Sequence, residues 1–122
     1  MVAHGVHFAQ MPVPIPLSAH TADSLADRFR LLSEPTRLRL LYLLRDGERS
    51  VGALAAEIGC TQANASRQLA LLADGGVLVR RREGLHCYYT VGDESVFALC
   101  DAVCESLTRH IDARADALRP LR

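Results

Sequence analysis

The sequence predicts a mainly α-helical fold with one small β-hairpin. Three observations carry this. Apolar residues recur at spacings of three and four along five stretches, capping hydroxyls and glycines separate those stretches, and two β-prone runs joined by a glycine-containing turn interrupt the helical pattern before the last of them. A chain of 122 residues that is 49% apolar is long enough to bury one core and leaves little room for a second.

Residues 1–19 contain Pro12, Pro14 and Pro16 and lack helical periodicity, so they are expected to form a flexible N-terminal arm ahead of one domain spanning 20–119. This stretch carries no Lys or Arg, unlike the positively charged start of a secretory signal. No apolar run approaches the roughly 20 residues that span a bilayer. A soluble, cytoplasmic protein is the expectation. In a reducing compartment the four cysteines are expected as free thiols, suited to metal binding or redox sensing rather than to stapling.

From Thr21, a possible cap, Leu25, Phe29 and Leu32 mark a first helix. Ser33-Glu34-Pro35 then opens a second, with a hydroxyl cap, an acid in the first turn and a proline where its missing N–H does no harm. That helix runs through Leu38, Leu40, Leu41, Leu43 and Leu44 to Asp46-Gly47. It is apolar around much of its circumference and therefore central to the core. Ser50 caps a short third helix carrying Val51, Leu54, Ala55 and Ile58, and Gly59 allows the tight turn after it.

Thr61 caps a fourth helix whose Ala65, Leu69 and Leu72 face inward, leaving Gln62, Asn64, Ser66, Arg67 and Gln68 on a polar, almost uncharged outer face. Gly75-Gly76 ends it. The runs Val77 to Arg81 and Leu85 to Val91, joined through Arg82-Glu83-Gly84, form a two-stranded hairpin. Asp93 caps a long last helix bearing Val96, Leu99, Val103, Leu107 and Ile111. Such a stripe on a terminal helix suits a dimer seam, the alternative being that it packs back on its own domain.

A short helix, a glycine turn and a second helix rich in Gln, Asn, Ser and Arg make a helix-turn-helix, in which the second helix enters the major groove. Gln62 and Asn64 can pair with adenine, Arg67 and Gln68 can reach bases or phosphate, and Ser66 can bond either; taken singly, such residues also simply solvate a helix. The hairpin adds Arg80, Arg81 and Arg82, the charge and shape of a wing laid along phosphates. The formal net charge is zero, and all fourteen basic residues are arginine. Arginine forks onto phosphate and guanine, although coding bias produces the same composition. The fold class is therefore a winged helix-turn-helix of about five helices plus a two-stranded wing, dimerising through terminal helices.

The segment Leu31-Leu32-Ser33-Glu34-Pro35-Thr36-Arg37-Leu38-Arg39-Leu40-Leu41 resembles the signature of the ArsR/SmtB repressors. Ser66 to Leu72 is similar to that family's recognition helix, and Arg81-Arg82-Glu83-Gly84-Leu85-His86-Cys87-Tyr88-Tyr89 is similar to its wing; the similarity covers about residues 24 to 107. The resemblance implies a dimeric repressor that sits on an inverted-repeat operator and releases it when an inducer binds. It does not imply one inducer, because members carry their sensing ligands on different helices.

The family's arsenical-type pattern on the third helix aligns with Glu48-Arg49-Ser50-Val51-Gly52-Ala53-Leu54, where the thiols are missing. Its zinc-type site on the last helix is also incomplete, since Val103 stands where a histidine is needed after Asp101, with His110 as a remnant at most. What the last helix offers is Cys100 and Cys104, one turn apart on one face. Two thiolates can share a soft ion, with Cys87 of the wing or a cysteine of a second subunit as third ligand. As(III) or Sb(III) and the divalent ions of Cd, Hg, Pb or Zn are the candidate inducers; DNA binding itself needs no cofactor.

The competing readings are core packing of these cysteines, which lie near the apolar stripe, and a redox mechanism through disulfide or persulfide. Cys60, beside the cap of the recognition helix, is either an oxidant-responsive thiol or a small turn residue. His86 is a wing contact or a nitrogen ligand. No nucleophile-base pair, phosphate-cradling loop or carboxylate pair is present, so an enzyme is not expected. A protein-interaction module of the same shape is the remaining class; it predicts no salt-dependent retention on DNA.

Overall fold

The computed structural model describes residues 16–118. Most of the expected N-terminal arm, residues 1–15, lies outside the described residues. The leading helix is α1 (Ala19–Leu31). Its cap is Ser18 rather than Thr21: the Ser18 hydroxyl accepts the Thr21 N–H at 3.1 Å, and the helix starts earlier than the periodicity suggests. Leu25 and Phe29 are exposed on it.

The body begins at Leu31 and contains α2 (Pro35–Leu43), β1 (Arg49–Ser50), α3 (Val51–Ile58), α4 (Gln62–Asp74), β2 (Leu78–Glu83), β3 (His86–Val91) and α5 (Ser95–Leu118). Glu34, not Ser33, caps α2, its carboxylate accepting the Arg37 N–H at 2.9 Å. Pro35 explains the exchange. A residue before proline is pushed into extended backbone, and Glu34 at φ −119°, ψ 125° is thereby placed as the non-helical half of the cap. The helix ends at Leu43, and Leu44–Asp46 tightens into a 3-10 turn before Gly47.

The caps expected for α3 and α4 are present. The Ser50 hydroxyl accepts from the Ala53 N–H at 3.1 Å and the Thr61 hydroxyl from the Asn64 N–H at 3.0 Å. Between them Gly59 sits at φ 74°, a left-handed conformation that costs glycine nothing. Asp93 likewise accepts from the Ser95 N–H at the start of α5.

The sheet departs from the expected two-stranded wing. It has three strands in the order β1-β3-β2, with Arg49 paired to Tyr89 and Ser50 to Tyr88. A two-residue strand is too short to show any alternation, so only its partner reveals it. The hairpin turn is also shifted. Arg82 and Glu83 belong to β2, Glu83 pairs with His86, and Gly84-Leu85 is the turn, which leaves Leu85 fully exposed instead of in a strand.

Leu40, Leu41, Leu44, Leu54, Leu69, Leu72, Val77 and Tyr89 form the fully buried centre. The stripe on α5 divides. Val96 and Phe97 are buried and Leu99 packs against the core, whereas Val103, Leu107 and Ile111 are 49%, 56% and 64% exposed. The outer part of the stripe therefore does not pack back on the domain.

Candidate nucleic-acid interface

Thr61 sets the first turn of α4 so that Gln62, Ser66 and Arg67 stand exposed on its outer face. Asn64 and Gln68 behave differently. Asn64 is half-buried, and its Oδ1 accepts from Arg67 Nη2 at 2.9 Å and from Gln68 Nε2 at 3.3 Å. Gln68 Oε1 accepts from Arg37 Nη1 at 2.8 Å, and Arg37 Nε donates to the Leu31 carbonyl at 2.7 Å. Gln68 thus ties the recognition helix to α2.

The wing sorts its three arginines by strand alternation. Arg80 and Arg82 line one groove together with Gln62, Ala63 and Ser66 of α4 and the N-terminal residues Ser50 to Gly52 that open α3. Their neighbours across the ladder, Tyr89 and Cys87, share that face. Arg81 lies on the opposite face. It forks onto Glu48 (Nε 3.0 Å, Nη2 2.8 Å), donates Nη1 to Glu83 at 2.8 Å, and stacks 4.6 Å above the Tyr88 ring. This pairing holds the Glu48 carboxyl below the usual carboxylate range. Among the residues expected to touch DNA, the structure gathers Gln62, Ser66, Arg80 and Arg82 around one groove, keeps Arg67 exposed on the same helix, and turns Asn64, Gln68 and Arg81 to internal partners.

The cysteines are dispersed, all four as free thiols. Cys100 is half-buried against the core and Cys104 is exposed one turn further along α5. Burial first, and then the neighbouring Cys104 and Asp101, push the Cys100 thiol above its ordinary pKa. Cys87 faces the groove of the wing and Cys60 packs at the start of α4, its Sγ 3.4 Å from the Thr61 carbonyl. Among the described residues of one chain no three His, Cys, Asp or Glu side chains converge to hold a metal ion. Cys87 is therefore not brought to Cys100 and Cys104 within a chain. His86 lies at the wing tip, its ring 6.3 Å from Tyr88, and His110 Nδ1 is 2.8 Å from the Ser106 carbonyl of its own helix.

Sequence reasoning missed the cluster beside the thiols. The Tyr42 hydroxyl donates to Asp101 Oδ1 at 2.8 Å, and Arg45 forks onto the same carboxylate at 2.6 and 3.2 Å. The Arg45 guanidinium also covers the Phe97 ring at 4.8 Å. Arg45 and then Tyr42 hold the Asp101 carboxyl low, while burial and the Asp101 bond push the Tyr42 phenol far up. The only signal in the sequence is that Tyr42 and Arg45 stand three residues apart, and nothing there points to a partner more than fifty residues away.

A family described as a helix-turn-helix domain matches residues 32–81. The chain is 34% identical over 98 residues to the HTH-type transcriptional regulator Rv0081 of Mycobacterium tuberculosis, covering 80% of this chain and 86% of the relative. The crystal structure of Rv0081 superposes with a TM-score of 0.71 at 31% identity, over 80% of this chain and 99% of that one. The homodimeric winged helix-turn-helix domain of Mb0332 from Mycobacterium bovis, described as a possible ArsR-family transcriptional regulator, gives a TM-score of 0.64 at 35% identity, over 78% and 91%. A probable mercury resistance operon repressor of Streptomyces lividans is 39% identical over 74 residues, which span 61% of this chain and 59% of that relative. These relatives are transcriptional regulators rather than enzymes, and no described helix is long and apolar enough to cross a membrane.

Proposed function

Because the chain belongs to the ArsR/SmtB family of winged helix-turn-helix transcriptional regulators, we propose that it is a homodimeric repressor that binds an inverted-repeat operator and releases it when an inducer engages Cys100 and Cys104. The observation that carries the DNA reading is the groove in which Gln62 and Ser66 of the recognition helix face Arg80 and Arg82 of the wing. Base-reading amides and hydroxyls thus sit beside cations placed for the flanking phosphates. Two copies joined through the exposed Val103, Leu107 and Ile111 stripe would present two such grooves to half-sites about 34–36 Å apart.

The test is retention on a duplex from the chain's own promoter, followed by anisotropy across a salt series. Affinity falls as salt rises, and Gln62→Ala or Arg67→Ala lowers the preference for operator over unrelated duplex by about 1–3 kcal/mol. Gln68→Ala instead lowers the melting midpoint, since its partner is Arg37. No retention at low ionic strength would overturn the reading.

Two thiolates one helical turn apart favour a soft ion, and the relative named as a mercury resistance repressor supports that class. Within one chain the pair supplies two sulfurs, enough for Hg(II), whereas arsenite, antimonite or Cd(II) would draw a further ligand from elsewhere. The raised pKa of Cys100 gives a sign. A divalent ion must displace the thiol proton, so Cd(II) affinity rises with pH, by up to about tenfold per unit for each proton released. Arsenite binding, in which each thiol proton leaves as water with an arsenite hydroxide, stays nearly flat. A Cd(II) titration that is flat between about pH 6 and pH 8 would remove Cys100 as a ligand.

A redox reading is favoured by one observation, the exposure of Cys104 beside Val103 of the proposed seam. Oxidation by a peroxide would then couple Cys104 to its counterpart in the second copy, because a disulfide within one helix across four residues is strained. Non-reducing electrophoresis after peroxide treatment distinguishes this from metal release.

A further inference from the structure

Arg81 stands in the middle of the arginine run, yet its surroundings are those of a clamp rather than of a phosphate contact. Three of its N–H groups are taken by carboxylates, two of them in a fork onto Glu48 and one on Glu83. The three groups together carry a net negative charge, which repels an approaching phosphate. The guanidinium carbon also lies over the ring of Tyr88, its cross-strand partner, 4.6 Å from the ring centre, and Tyr88 is paired in turn with Ser50 of β1. The side chains of Glu48, Tyr88 and Arg81 thus run across the sheet in the order β1 side, β3, β2.

We propose that Arg81 is a positioning residue for DNA recognition: by tying the wing hairpin to the chain segment that opens α3, it sets the angle at which Arg80 and Arg82 meet the phosphates. The inference rests on the DNA-binding reading above and assigns within it a role opposite to the one the sequence suggests. A two-stranded ribbon is strongly twisted and pivots easily at its base. The Glu48–Arg81 fork joins β2 to the residue that leads into β1, across β3, and opposes that pivot. An isolated surface ion pair contributes little, but a planar fork stacked on an aromatic ring is directional in a way that a lysine cannot reproduce.

The experiment is operator binding by anisotropy over a salt series, with circular dichroism and melting of each variant as the folding control. Arg80→Gln and Arg82→Gln each reduce the magnitude of the log affinity against log salt slope by about 0.9, as expected on losing one phosphate contact. Arg81→Lys and Arg81→Gln both weaken operator binding several-fold while keeping the wild-type slope. Glu48→Gln also weakens it, and the Glu48→Gln, Arg81→Gln double variant is no weaker than either single one, because both break the same clamp. The proposal is overturned if Arg81→Lys binds as wild type while Arg81→Gln loses about 0.9 of slope, or if Glu48→Gln tightens binding, as it would by freeing a phosphate-gripping arginine. A wild-type chain that ignores the duplex sinks the DNA reading itself, a result separate from either of these.

Discussion

A chain carrying Cys100→Ser and Cys104→Ser together binds operator with wild-type affinity and no longer releases it on addition of Hg(II), Cd(II) or arsenite. In the wild type the same additions weaken operator binding by about 5- to 150-fold, the range that a coupling of 1–3 kcal/mol produces. The expectation follows from position. Both thiols lie on α5 and neither lines the groove proposed for DNA, so their loss removes no contact expected there. They flank Asp101, which Tyr42 and Arg45 bind from α2 and the turn after it. Ligation there would act on the joint between α5 and the body, and the outer part of α5 carries the proposed dimer seam. A small change of angle at that joint moves one recognition groove relative to the other. Normal release by the double variant, measured by anisotropy with each inducer, would remove these thiols from the mechanism.

Leu69→Ala lowers the stability of the domain by about 2–5 kcal/mol, a large fraction of the 5–15 kcal/mol typical of a small domain. Leu69 is completely buried on the inner face of α4, the helix whose outer face is proposed to meet DNA. Its truncation leaves a cavity under the recognition helix in addition to the lost transfer energy. Thermal melting at fixed protein concentration checks this, with Leu71→Ala on the same helix as the control. Leu71 is 43% exposed, so its loss costs far less. Equal shifts for the two variants would mean that the packing of α4 is not as described.

The helices, their order and most of their caps were legible in the residues because these features are local. Ser50 and Thr61 precede apolar periodicity directly, and their hydroxyls bond N–H groups three residues on. The inward set Ala65, Leu69 and Leu72 follows from helical geometry alone. Even the cap of α2 was within reach, since Pro35 restricts Glu34 through its ring, although the preference for hydroxyl caps pointed to Ser33. The resemblance of the segment from Leu31 to Leu41 and of the recognition and wing segments led to the same family as the comparison with relatives.

The candidate site was only partly legible, because a side chain's availability depends on neighbours distant in sequence. Gln68 reads as a base-contacting amide until Arg37, thirty-one residues earlier, is found bonded to it. Three consecutive arginines read as one basic patch, but a strand must send alternate side chains to opposite faces, and Glu48 and Tyr88 wait on the far side for Arg81. The third strand and the Tyr42–Asp101–Arg45 joint have the same origin. By itself the sequence determined which segments are helices, which face of each is apolar, and that a polar helix is followed by a basic hairpin, since these depend on periodicity and short-range sterics. Which polar groups stay available to DNA and which are used up in holding the elements together was decided only by tertiary packing, because a hydrogen bond or ion pair forms according to distance in space and not along the chain.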